Sequence, residues 1–327
     1  MIDSSVVRNR CRIIEWLDIR FFMPAISRMP LPLAHRMADL RGLIRYRLDL
    51  DWRSSCLGAP FVREKTARVL ENVFNINPPE PAVRERFRTQ SREEIEAFFI
   101  LNRRPGWPVC HTVTPPGWER RIPKGGGVVL LAAHLDSSWA GMGFLSRFGR
   151  PVNAVYDPIV YDPGVFPFFQ DFFRRKYEGI IRHYNGGTLL SPEDLRREGA
   201  ARLKRGEMII FFADIPRKDR GLPARFLGRD VLVPYGGPSY AARTGSYMAA
   251  YVTRFLMPGR YESRLSAPVP VSEKTDLPQL VQGIYSVLDG QIREDPGKWW
   301  AADTFFDHIK LDSTCNVDGN PLFEKPV

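Results

Sequence analysis

Of the five histidines in the chain, His134 stands where chemistry is most readily placed, at the end of the apolar run in LAAHLDSSWAGMG (131–143). An imidazole titrates near neutrality, so a histidine at the mouth of a buried strand is a candidate general base, provided another group fixes its tautomer. Asp136 is the nearest acid, two residues on, and it can reach back across a tight strand-to-helix turn. Ser137, Ser138 and the more distant Asp214 are the other candidates for orienting the ring. Asp136 or Ser137 would serve equally well as N-cap of a helix beginning at SSWAGMG. Cys110 and His111 offer the residue types of a thiol–imidazole pair, but neighbours in an extended chain point to opposite sides.

The elements that must position these residues alternate between strand and helix patterns. VVLLAA (128–133) is a continuous apolar run of strand length, as in a strand buried on both faces, and MIIFFAD (208–214) is a second one ending in Asp214. PVNAVYDP (151–158) and GIIRHY (179–184) read as further short strands. GVFPFFQDFFRRKYEG (164–179) is an aromatic amphipathic segment, and SPEDLRREGAARLKRGE (191–207) is the clearest helix, with Ser191 as N-cap and Pro192 in its first position. The chain from 233 to 255 supplies a Gly-Pro turn, a short helix and another strand. This alternation indicates an α/β domain with its site outside the sheet edge. Residues 1–105 read as an N-terminal helical region, in which SREEIEAFFILNR (91–103) has the acidic first turn of a helix start. Residues 106–327 form the α/β domain, entered through a proline-rich connection at 103–127.

The composition limits the partners. A chain of 327 residues with 44% hydrophobic and 26% charged residues folds as a globular protein. Its net charge of +10 favours an anionic partner, although the basic pairs are dispersed and match no nucleic-acid-binding motif, so none is expected there. Cys11, Cys56, Cys110 and Cys315 are widely spaced, so neither a disulfide framework nor a zinc site is expected. GxSxG, GK[ST] and HExxH are absent, and no metal or cofactor is expected. No signal peptide or transmembrane helix is evident. Residues 13–34 mix Trp16, Phe21, Phe22 and Met23 with Arg20 and Arg28, which suits a helix lying in a membrane interface as well as one packed on the domain.

The segments KGGGVVLLAAH, VYDP, LKRGEMIIFFAD, ARFLGRDVLVPYGGPSYAARTG and IREDPGKWWAADTFF, in that order, resemble the lysophospholipid acyltransferase-like superfamily. The likeness is to the branch of bacterial lipid A late acyltransferases and phosphatidylinositol mannoside acyltransferases, and it runs from about residue 118 to 302. The resemblance implies a glycerol-3-phosphate acyltransferase-like fold, with a mixed central sheet flanked by helices. It implies transfer of a fatty acyl group from acyl carrier protein or coenzyme A to a hydroxyl or amine of a lipid-like acceptor. His134 would be the base, Asp136 its tentative partner, and Asp214, Arg229, Ser137 and Ser138 substrate or orienting groups. A cytoplasmic location, peripheral on the inner face of the cell membrane and against its anionic surface, goes with it. The family's motif places an acid five residues after the histidine, where this chain has Trp139, and Asp157 stands where members often have arginine. The alternative is therefore a noncatalytic relative that binds acyl chains or a carrier protein.

Overall fold

In the computed structural model, residues 12–57 and 62–309 are described; Cys11, Cys315 and residues 310–327 lie outside them. A helical stretch, 12–28, contains a π-turn at Asp18–Phe22 and leads into α1 (Leu31–Leu48), followed by α2 (Val62–Phe74) and α3 (Glu80–Leu101). The strand-bearing part then runs β1 (Cys110–Thr114), β2 (Val128–Ala132), α4 (Ser138–Phe144), β3 (Val152–Val155), α5 (Pro167–Ile181) and β4 (Leu189–Leu190). It continues through α6 (Pro192–Lys204), β5 (Met208–Phe212), the hairpin β6 (Leu222–Phe226) and β7 (Arg229–Val233), and α7 (Gly236–Thr244). The last elements are β8 (Tyr247–Met257), β9 (Arg260–Leu265), β10 (Val269–Pro270), α8 (Leu277–Glu294) and α9 (Ala302–Phe306).

The central sheet has the order β1-β9-β8-β2-β5-β3-β4, with β10 also paired to β8. Strands β8, β2, β5, β3 and β4 are parallel, whereas β9 is antiparallel to β8 and β1 follows β9. The protein is thus α/β, with a mostly parallel central sheet flanked by helices. The chain leaves β2 for β3 on one side, returns to insert β5 between them, and then crosses to β8 on the other side. This places β2 at the centre and explains its unbroken burial. Val129, Leu131 and Ala133 point into one apolar layer with Ile209 and Phe211; Val128, Leu130 and Ala132 point into the opposite layer with Met208 and Ile210.

Local signals account for several elements. Ser191 and Asp194 form a reciprocal capping box at the start of α6, as the sequence predicts. Gly141 lets α4 approach β8 closely: a Cβ there would lie 1.7 Å from Thr253 Oγ1. Two expectations are corrected. GIIRHY is no strand, because Gly179–Ile181 complete the last turn of α5; a short apolar run does not by itself distinguish the two states. Ser91 does not start a helix but lies in the middle of α3, which begins at Glu80 behind Pro79. Its buried face there is built from charges rather than from an apolar stripe. Arg41 of α1 donates to Ser91 Oγ at 2.9 Å and pairs with Glu94 at 2.6 Å and with Asp18, while Arg45 pairs with Glu15 at 2.8 Å.

His35 of α1 is 2% exposed, wedged against Phe255 and Phe99, and neither ring nitrogen has a hydrogen-bond partner among the described residues. Burial, with Arg92 and Arg104 nearby, pushes its pKa down to about 4. The unfolded chain, with an ordinary histidine, therefore binds the proton first as pH falls. The stability held above about pH 6.5 is lost between there and pH 4, by about 3 kcal/mol in full. Thermal melts across that window should show a steeper acid loss for the wild type than for His35→Leu; parallel curves would contradict it.

Candidate active site

Strands β2 and β5 pair in register, Ala132 opposite Phe212, and the ladder continues with Ala213 N–H donating to Ala132 O at 2.8 Å. Two residues beyond each strand, on the same face by the two-residue period, stand His134 and Asp214. Their side chains meet: His134 Nδ1 lies 2.8 Å from Asp214 Oδ1. The His134 backbone N–H also donates to Asp214 Oδ2 at 2.8 Å, and Trp299 Nε1–H donates to the same oxygen at 2.7 Å. Three hydrogen bonds hold a carboxylate with no exposure. Burial alone would raise its pKa, but the neighbouring imidazole and these donors outweigh that and hold it below the usual carboxylate range. An ionised carboxylate only accepts, so Nδ1–H is the donor, and in the neutral form of the ring the lone pair lies on Nε2.

The ring of His134 is packed as firmly as it is bonded. Phe212 stacks on it at 4.1 Å between centroids, and Trp300 meets it edge-on at 4.3 Å. Trp300 N–H donates to His134 O at 3.2 Å, and Leu135 bridges to Trp299. The side chain keeps 11% exposure, and Nε2 has no hydrogen-bond partner among the described residues. The tryptophan segment is itself anchored by Arg86 of α3, which donates to Trp300 O at 3.2 Å and pairs with Asp303 at 3.1 Å and Asp51 at 3.3 Å.

Asp136 does not hold the imidazole, and the reading that made it the partner is corrected here. It sits at φ 53° in the turn after β2, and its carboxylate accepts from Phe255 N–H at 2.9 Å with Lys298 Nζ 3.4 Å away. It ties the turn to the end of β8 and to the loop before Trp299. Burial pushes its pKa up, against the pull of Lys298 and Arg92. Ser137 and Ser138 turn from the imidazole to α3, donating to Glu96 at 3.0 Å and to Glu93 at 2.9 Å. No side chain of Asp136 or Ser137 caps α4; Glu93 does so instead, accepting from Trp139 N–H at 2.9 Å. Burial pushes the Glu96 carboxyl up to about 8 despite hydrogen bonds from Tyr261 and Ser137, so it keeps its proton at neutral pH.

Arg229 opens β7 in the separate hairpin, which packs on α8 through Arg225 and Gln282. A shallow depression of about 520 Å³ lies on that hairpin between Arg225, Asp230 and Gln282, and His134 is not among its lining residues. At position 139, where the resemblance implies an acid, the Trp139 ring packs 5.7 Å from Phe212 and 5.3 Å from Tyr177, with Lys176 Nζ 4.7 Å above it. His111 shares a hydrogen bond with Ser263, 2.9 Å away, while Cys110 is exposed. Among the described residues, no cluster of three His, Cys, Asp or Glu could hold a metal ion.

The sequence reading missed Trp299, Trp300 and Glu93. The tryptophan doublet belongs to a segment the resemblance includes, but its contact with His134 depends on the bridge to Leu135. Chemically, the arrangement is a histidine with one nitrogen fixed by a buried anion and the other free to take a proton. Compared with protein-family models and with curated proteins, the chain matches none.

Proposed function

We propose that this protein is an acyltransferase with a glycerol-3-phosphate acyltransferase-like fold. It moves a fatty acyl group from an acyl carrier protein or coenzyme A thioester to a hydroxyl or amine of a lipid-like acceptor. The observation that carries the reading is the 2.8 Å contact between His134 Nδ1 and Asp214 Oδ1, at the end of a strand that resembles the superfamily's histidine segment. His134 Nε2 takes the proton from the acceptor as its oxygen or nitrogen attacks the thioester carbonyl carbon. The tetrahedral adduct collapses, the C–S bond breaks, and the imidazolium returns the proton to the thiolate. Asp214 stays ionised and stabilises the imidazolium that forms between these steps. The thioester is already activated, so no acyl-enzyme is required.

Trp139 favours a second reading, a noncatalytic acyl-chain or carrier-protein binder. Asp214 counts against it, because the orienting acid absent from position 139 is supplied from another strand. Purified protein with acyl thioester and a panel of lipid acceptors separates the two. His134→Gln should lower transfer by about 10²–10⁴-fold. Transfer that survives this substitution overturns the mechanism. No transfer by the wild type, with acyl-chain binding retained, supports the binder.

A further inference from the structure

The turn after His134 is held by three buried carboxyls. Asp136 stands in the turn itself and accepts from Phe255 N–H. Ser137 donates to Glu96 Oε1 at 3.0 Å, while the Ser138 hydroxyl and Trp139 N–H donate to Glu93 Oε1, both at 2.9 Å. Glu93 and Glu96 are three residues apart on α3 and so share one of its sides. One helix thus grips two consecutive serines just beyond the strand end that presents the imidazole. The three acids are unequally provided for. Asp136 has Lys298 Nζ 3.4 Å away and Arg92 nearby. Glu96 has no exposure and no ion pair among the described residues. Lys176 of α5 is near enough to feel its field, but its Nζ lies over the Trp139 ring instead, 4.7 Å from the centre.

The hydrogen bonds around Glu96 show where its proton sits. Trp107 Nε1–H donates to Tyr261 Oη at 2.9 Å, and an indole only donates, so the Tyr261 hydroxyl points its own hydrogen at Glu96 Oε1, 2.8 Å away. The same oxygen takes the Ser137 hydroxyl, whereas Oε2 has no hydrogen-bond partner among the described residues. Two donors on one oxygen and none on the other is the pattern of a neutral acid, with its carbonyl oxygen bonded and its O–H on the bare side. An ionised carboxylate there would be desolvated with half its acceptors unused.

We infer that Glu96 is a positioning residue that holds the turn after His134 only while it is protonated, and that losing this proton sets the alkaline limit of the site. Neutral, it fixes Ser137 without adding charge to the turn. Ionised, it becomes a third negative group beside Asp136 and Glu93. The other titratable groups that face it are Tyr261 of β9 and Lys176 of α5, and Lys176 makes no ion pair with it among the described residues. The repulsion is relieved by moving the turn or by admitting water, and either shifts the backbone that sets His134 against Asp214. Burial has pushed the Glu96 carboxyl up to about 8, so the change falls just above neutrality. The inference deepens the proposed function, and rests on it only for the claim that acyl transfer follows this proton.

The test is Glu96→Gln in the full chain, which makes the neutral form permanent: the amide oxygen accepts from Ser137 and Tyr261, and the amide nitrogen replaces the O–H. The kcat of the wild type should fall about tenfold between about pH 7.5 and 9.5, while Glu96→Gln holds its neutral rate across that range. Glu96→Leu, which accepts neither bond, should lower kcat already at neutral pH, so that rescue by glutamine separates the bonds from the filling of space; if it does not fold, the glutamine comparison decides alone. Two readouts need no turnover. The Nδ1–H signal of His134, followed by NMR on histidine-¹⁵N-labelled protein, should be lost in alkali from the wild type and kept in Glu96→Gln. An acid whose pKa is raised by folding gives stability that is full below its unfolded value of about 4.5 and is lost as pH rises to about 8. Glu96→Gln should therefore melt above the wild type at about pH 9, with the difference closing toward pH 4.5. A shared alkaline limb, a shared loss of the His134 signal, or a melt difference that ignores pH overturns the inference. If neither protein transfers acyl groups but the signal and the melts behave as stated, the proposed function fails and the hold of Glu96 on the turn is supported.

Discussion

Replacing Asp214 by Asn should lower the rate of acyl transfer by about 10³–10⁴-fold with little change in the fold. The size follows from which atom the amide must present to the base. The backbone N–H of His134 and the indole N–H of Trp299 both donate to Oδ2. An asparagine keeps these two bonds only by placing its carbonyl oxygen there, so its amide nitrogen faces Nδ1. Nδ1 must then accept, the ring proton moves to Nε2, and the base loses the lone pair that receives the acceptor's proton. The loss should appear in kcat, and ¹⁵N chemical shifts of the imidazole should report the exchanged tautomer. Asp136→Asn is the matched control, since Asp136 serves Phe255 N–H and Lys298 rather than the ring. It should stay within about tenfold of wild type, the lower edge of what a general base contributes. If the two substitutions exchange these outcomes, the acid has been misassigned.

The second large effect is expected at Arg86, far from any reacting atom. This side chain has no exposure, lies between Asp51 and Asp303, and also donates to Trp300 O and Gln90. Arg86→Leu removes one of the two arginines that bridge the buried Asp51 and Asp303 and leaves Arg53 alone between them. Removing one partner of a buried pair costs about 3–5 kcal/mol, of which the remaining Arg53 offsets a part. The melting temperature should fall by about 5 °C. The Trp299–Trp300 segment that braces His134 and Asp214 loses its tie to α3, so kcat should fall as well. Arg68→Ala, which breaks an exposed pair with Glu64 on α2, should leave the melt unchanged. A melt of Arg86→Leu indistinguishable from wild type would show that the anchoring is carried elsewhere.

The fold was legible where burial leaves an apolar signature. The strands VVLLA and MIIFF stand out because both faces of each are covered, and α6 is marked by its cap. His134 and Asp214 were both legible as polar residues that end such strands. Their partnership was not, because it depends on strand order: 80 residues separate them, and only the insertion of β5 beside β2 brings them together. Proximity along HLD pointed to Asp136, but a residue at positive φ in a tight turn is carried away from its near neighbour. The start of α3 was hidden for another reason. Its inward face contains Arg86, Arg92, Glu93 and Glu96, which a reading of apolar periodicity takes for solvent-facing residues. The hold of Trp299 on Asp214 leaves no trace in spacing at all.

The pairing of Ala132 with Phe212 has a consequence for how this protein can fail. A catalytic pair borne on one loop survives many small errors of assembly, because both members move together. Here the proposed base and its acid follow neighbouring strands, and a slip of one residue in their ladder would turn Asp214 to the opposite side of the sheet. On the proposed function, activity is therefore all-or-none in strand alignment: a chain that folds with the right elements but the wrong register would be inert, and turnover would itself certify that the centre of the sheet is correctly built.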